Sequence, residues 1–230
     1  MEAGERMMIV ATVVCAIACA ALVGAEWTQT KRVRIVAKVI ASFSFLVVGA
    51  AAIDPTLKHP IETASAVDFS ILLGLVFGVA GDVFLLGSSK RSFILGLVAF
   101  LIGHLLYVLS FADRVPAREW LYEARPWGWL PVIAGIAALA WLWRHLGSMR
   151  APVIIYVLVI VAMMLGAIAV ASGDDPATLR HRLVAGAALF FASDLAVARD
   201  KFVKKSFVNR AWGLPAYYAG QLLIAWSLAY

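Results

Sequence analysis

The chain has 230 residues, 63% hydrophobic and 15% charged, with 20 Lys and Arg against 14 Asp and Glu. A mean hydropathy of +0.90 excludes a soluble domain of ordinary composition. The net charge of +6 borders apolar runs instead of forming a basic face, which argues against a nucleic-acid partner and for membrane topology.

Runs of about 20 mainly apolar residues, enough to cross a hydrocarbon core of roughly 30 Å, fall near 7–24, 33–53, 67–87, 92–112, 127–146, 152–171, 180–199 and 209–229. They predict an all-α polytopic membrane protein, one domain over 1–230 built as a bundle of eight transmembrane helices. The first run also fits a signal-peptide pattern, with Arg6 before an apolar stretch ending in Val23, Gly24 and Ala25. The charge bias below favours a span. Cys15 and Cys19 lie within it as small apolar packing residues.

The second run carries Lys38 about a turn and a half inside, and the third closes on Gly81-Asp82. The fourth holds His104 and, one turn on, Tyr107 on the same face. Tyr156 lies in the sixth and Asp194 in the seventh. The eighth contains Pro215, Tyr217, Tyr218 and Gln221. A carboxylate inside a span costs roughly 2.5–3.5 kcal/mol on insertion scales, so Asp82 and Asp194 mark a functional site by default.

Basic residues sort by side. Lys31, Arg32, Arg34, Lys90, Arg91 and Arg144 flank one side, with Arg150, Arg199, Lys201, Lys204, Lys205 and Arg210. The other holds Arg6, Lys58, Arg114, Arg118, Arg125, Arg180 and Arg182. The positive-inside rule makes the first side cytoplasmic and places both termini outside a cell membrane. At 1.5 Å per residue, Lys38, Asp82, Tyr156 and Asp194 then lie on the order of 6–9 Å from the cytoplasmic ends of their spans, with His104, Tyr217, Tyr218 and Gln221 deeper. If these spans are neighbours, they enclose a polar pocket opening toward the inner leaflet. Packing glue between helices is the bland reading of the same polar residues, and Lys38 is a ready counter-charge for one aspartate but not for both. His59, His145 and His181 sit at or near span ends, and no histidine has an acidic partner at i, i+4, so neither a metal nor another cofactor is expected. Gly81-Asp82 and Ser193-Asp194 end the third and seventh runs alike, which suggests a parallel four-plus-four repeat.

Gly81-Asp82-Val83-Phe84-Leu85-Leu86, then Phe93, Gly96, Phe100 and Gly103-His104-Leu105-Leu106-Tyr107, resemble the first signature of the YhhN-type lysoplasmalogenase family. Ser193-Asp194, Pro215, Tyr217-Tyr218 and Gln221-Leu222-Leu223 are similar to the second. Pro152 to Tyr156 with Met163 or Met164 resembles the family's sixth span, and Lys38 with Ser42 and Phe43 its second. The resemblance covers roughly residues 33–229. It implies an eight-span hydrolase that cleaves the vinyl ether bond of a lysoplasmalogen, a lysophospholipid met in membrane lipid. The products are a fatty aldehyde and glycerophosphoethanolamine or glycerophosphocholine, and the family's acidic pair falls on Asp82 and Asp194. Vinyl ether hydrolysis needs a positioned proton donor and a nearby negative charge, and two buried carboxyls with separated titrations supply both. Lys38, His104, Tyr107, Tyr156, Tyr217, Tyr218 and Gln221 are the candidate substrate-binding residues. Two rivals stay open: a proton-coupled transporter or lipid-binding protein using the same carboxylates, and a metal-dependent lipid hydrolase using His104.

Overall fold

The computed structural model describes residues 3–53, 66–173 and 176–229. Among these, the chain is helical, with α1 (Ala3–Thr28), α2 (Lys31–Ala52), α3 (Ala66–Phe84), α4 (Lys90–Arg114) and the single turn α5 (Trp120–Glu123), then α6 (Trp129–Leu142), α7 (Arg150–Ala171), α8 (Ala177–Ala198) and α9 (Phe207–Ser227). Lys58 and His59 lie outside the described residues. Breaks fall where chain chemistry demands them. Ser89 caps α4 by accepting from Ser92 N at 3.0 Å, and Ser206 caps α9 by accepting from Val208 N at 3.3 Å. Gln29 turns between α1 and α2 at φ 57°. Pro215 lies inside α9 without ending it.

Among the described residues, every α-helix except the single turn α5 overlaps one of the apolar runs. Five are long and apolar enough to cross a membrane: α1, α2, α4, α7 and α8, the last two with their flanking turns. The polar Asn209, Arg210 and Gln221 dilute the apolar content of α9, and α6 has only 14 residues before its 3-10 continuation. Val10, Ile17, Ile133 and Leu158 point outward, the inverted surface a lipid solvent favours. Trp27, Trp127, Trp129 and Trp143 are exposed at helix ends, where amphipathic rings suit the membrane interface.

Most helix contacts follow the pattern that a four-plus-four repeat would give. Exchanging α1–α4 with α6–α9 converts the packed pairs α1/α2, α2/α3 and α3/α4 into α6/α7, α7/α8 and α8/α9, and converts α4/α7 into α9/α2; every one of these pairs is packed. The hairpins α3/α4 and α8/α9 are closed by the same device. A Cβ on Gly103 would stand 3.1 Å from the Gly74 carbonyl oxygen, and one on Gly220 would stand 3.0 Å from that of Gly186. Gly74 precedes Asp82 by eight residues, as Gly186 precedes Asp194, and Gly96 precedes Gly103 by seven, as Gly213 precedes Gly220. Small residues let backbones approach where lipid provides no hydrophobic drive between helices. The symmetry fails at two places, the α3/α9 contact, whose counterpart α8/α4 is not among the main packing pairs, and an outer seam. Helix α1 packs on α9, with Trp226 Nε1 donating to Thr12 Oγ1 at 2.9 Å, whereas the equivalent α6/α4 pair is not among the main packing pairs.

Candidate functional site

Both aspartates line one cavity of about 680 Å³ at the basic end of the bundle. Lys38, Tyr156 and Tyr217 line it with them, and Phe100 and Phe190 form apolar wall. His104, Tyr107, Tyr218 and Gln221 stand one layer behind, each about 1% exposed. The structure therefore brings the nine candidate residues together as five in the lining and four supporting it.

The two carboxyls have separate surroundings. Asp82, 2% exposed, receives Lys38 Nζ at 2.7 Å on Oδ1. Its Oδ2 accepts from Ser42 Oγ at 2.7 Å and, more loosely, from Tyr218 OH at 3.5 Å. Ser42 is one turn from Lys38, and its single hydroxyl hydrogen is shared between Asp82 Oδ2 and the Lys38 carbonyl oxygen at 2.8 Å, so one face of α2 supplies both cation and hydroxyl. Charge and hydrogen bonds together make this buried pair tolerable.

Asp194 has no Lys or Arg paired with it among the described residues. Its side chain is 20% exposed, and Oδ2 lies 3.6 Å from His104 Nε2, just beyond hydrogen-bond length. Both atoms are buried without another partner. His104 Nδ1 bonds the Phe100 carbonyl oxygen at 2.6 Å. A carbonyl only accepts, so Nδ1 carries a hydrogen, and in the neutral ring Nε2 is left with a lone pair facing the carboxyl. Tyr156 lines the same cavity beside Asp194, and Phe190 and Tyr156 hold the imidazole edge-on at centroid distances of 4.4 and 5.4 Å. The two centres are thus equivalent in place and opposite in chemistry. Lys38 on α2 and Tyr218 on α9 surround Asp82, and Tyr156 on α7 and His104 on α4 surround Asp194.

Behind the lining runs a polar lock. Tyr107 OH donates to Gln221 Oε1 at 2.8 Å, Gln221 Nε2 donates to Tyr217 OH at 3.4 Å, and Tyr217 OH donates to the Gly78 carbonyl at 3.3 Å. It ties α4, α9 and α3 together and sets the Tyr217 ring against Phe190, Phe100 and Tyr218. Tyr107 and Gln221 touch this lock, not the cavity surface.

The mouth holds residues that sequence patterning missed. Glu26, 8% exposed, binds Arg210 at 2.5 Å and lies 3.9 Å from Arg34. Arg210 also reaches Asp200 at 3.2 Å, which accepts from Asn209 Nδ2 and Ser206 N at 3.1 and 2.8 Å. Acidic residues amid a basic rim were the available signal. Lys204 and Lys205 line the cavity mouth as well. His104 and Asp194 would be two ligands for a metal, and no group of three or more His, Cys, Asp or Glu converges among the described residues.

Fold and cavity define a class: an all-α polytopic membrane protein with an acid-lined pocket sunk into one end of its bundle. Residues 33–228 match the YhhN family, and the chain belongs to that family. It is similar to lysoplasmalogenase TMEM86A of Bos taurus, 34% identical over 174 residues, covering 74% of this chain and 67% of the relative. It is also similar to lysoplasmalogenase TMEM86A of Homo sapiens, 30% identical over 177 residues with the same coverage. The resemblance read from the GD and SD elements is thus borne out, and these relatives are enzymes. No solved structure matches the chain.

Proposed function

We propose that the chain is a lysoplasmalogenase-type hydrolase, crossing the cell membrane eight times with its basic end and cavity mouth toward the cytoplasm. Similarity to lysoplasmalogenases supports the substrate class, and the charge bias supports the orientation. The carrying observation for the chemistry is the inequality of the acids: Asp82 is already matched by Lys38, whereas Asp194 faces the cavity beside an imidazole lone pair.

In this reading Asp194 is the proton donor. Its O–H bond breaks as a C–H bond forms at the vinyl carbon beta to the ether oxygen, and the alkene electron pair makes that bond. The resulting oxocarbenium ion lies beside the new Asp194 carboxylate, with the Lys38-paired Asp82 as a second negative group. Water adds at the carbon bonded to oxygen and returns a proton to Asp194, giving a hemiacetal. Its collapse releases the fatty aldehyde and the glycerol hydroxyl, with one water consumed. His104 takes or returns the Asp194 proton through Nε2, and Tyr156 orients the carboxyl. Phe100, Phe190 and Tyr217 keep bulk water from the cation.

The test is mass spectrometry of lipids after incubating purified protein with a lysoplasmalogen and with its saturated ether analogue. Aldehyde is expected from the first alone, because only a vinyl ether can be protonated at carbon. Release from both, or from neither alongside proton flux in proteoliposomes, would overturn the reading and favour the transporter.

A further inference from the structure

We infer that the hydrocarbon chain of the substrate lies in a crevice walled by α6 and α8 and floored by α7, with Phe191 at its waist. The inference rests on the site being a lysolipid hydrolase. A second cavity, of about 710 Å³, lies farther along the bundle, and Phe191, half-buried, lines both cavities.

Each of three helices carries one stripe through both cavities. On α7, Val153, Val157 and Ile160 line the first and Met164, Ile168 and Ala171 the second. On α8, Asp194 lines the first, Phe191 both, and Ala188 and Val184 the second; on α6, Leu142 and Ala138 give way to Ala134 and Pro131. Steps of three and four residues keep to one helix face, so the cavities are two ends of a single groove.

The groove is open because α6 is held at its back and at one end. It packs on α7, where a Cβ on Gly135 would stand 2.6 Å from Val161 Cγ2, and its basic end is sealed by Leu142 and Leu146 against Phe202 and Val203 in the π-helical turn after α8. Beyond that seal the second cavity lies between α6 and α8. This is the half of the molecule where the repeat lacks its outer seam.

Reaction geometry selects the occupant. The carbon to be protonated is the first of the hydrocarbon chain beyond the ether-bonded carbon, so the chain must leave Asp194 directly along apolar surface continuous with it. Asp194 and Val184 are ten residues apart, about 15 Å of helix, a length that matches the hydrocarbon chain of one leaflet's lipid; starting from the depth of Asp194, the groove runs past the midplane. The polar head then faces the mouth, where Arg34, Lys204 and Lys205 lie.

The full-length protein in proteoliposomes would be photolabelled with saturated ether lysolipids, which cannot be cleaved, carrying a diazirine either beside the ether or at the chain end. The near probe is expected on Phe191, and the end probe on segments 130–134 and 184–188, both displaced by excess unlabelled lysolipid. Phe191→Trp should cut end-probe labelling, and lower the ratio of kcat/KM for long-chain over short-chain vinyl ethers, by about tenfold; Phe191→Ala should shift that ratio the other way. Labelling spread evenly over outward residues such as Ile17 and Leu158, without displacement, would mean ordinary bilayer lipid and overturn the inference. Specific labelling in a protein that releases no aldehyde from any chain length would keep the groove and sink the hydrolase reading.

Discussion

The Asp82 and Asp194 centres occupy equivalent places in two similar halves, yet one is closed and the other poised. Around Asp82, lysine, serine and tyrosine satisfy the carboxylate; around Asp194, an unfilled 3.6 Å gap to His104 Nε2 and partial exposure leave the group with bonding capacity unspent. Two halves with similar helix packing supply two acid positions in one cavity, and different neighbours give the two carboxyls different surroundings. Paired carboxylates whose surroundings differ are the usual source of distinct acid and base functions.

The strongest way to break this comparison is Asp194→Asn. It removes the proposed proton donor while keeping shape, and aldehyde release is expected to fall by about 10²–10⁴, the range of general acid catalysis. Protein with unchanged thermal unfolding and near-normal turnover would remove Asp194 from the chemistry. Asp82 should answer differently. Asp82→Asn strands the Lys38 ammonium in the wall, and breaking such a pair from one side costs about 3–5 kcal/mol. Adding Lys38→Met should restore much of that loss, and thermal unfolding of the four proteins in detergent measures the coupling. Additive losses would mean that the 2.7 Å contact is energetically idle.

Smaller effects sharpen the assignment. Tyr156→Phe deletes the phenol proposed to orient Asp194 and is expected to lower kcat about tenfold, equivalent to about 1.4 kcal/mol, with KM changed less. Single-turnover kinetics would separate that from weaker lipid binding. Tyr107→Phe leaves Gln221 Oε1 without its donor in the wall, a cost of about 1–3 kcal/mol in stability. Its kcat should fall less than that of Tyr156→Phe, because Tyr107 touches the lock behind the lining. A larger kcat loss in Tyr107→Phe than in Tyr156→Phe would invert the layering described above.

Much of the fold was legible because a bilayer simplifies the reading. Helices must satisfy their own backbone, so apolar length alone located the helices other than the single turn α5 to within a few residues at most ends. The fifth run was read as 20 residues and forms a 14-residue α-helix with 3-10 turns after it, because hydropathy is blind to helix type. Equal depth placed Lys38, Asp82, Tyr156 and Asp194 at one cavity, since rise per residue is fixed. Direction around the helix axis was harder: Tyr107, Tyr218 and Gln221 lie at suitable depths and face the supporting layer. The acidic Glu26 and Asp200 were passed over among topology charges, although their burial against Arg210 makes them part of the mouth.

By itself, then, the sequence determined the membrane class, the helix positions, the distance of each polar group from its helix end and the family, because these depend on local sequence and on the fixed rise of a helix. Only tertiary structure decided that Lys38 pairs with Asp82 and not Asp194, that His104 meets the second carboxyl, and that α1 seals a seam that α6 leaves open. Those outcomes depend on which helices become neighbours and how they are rotated, and that is settled by small-residue contacts such as Gly74 with Gly103 and Gly186 with Gly220, between residues far apart in the chain.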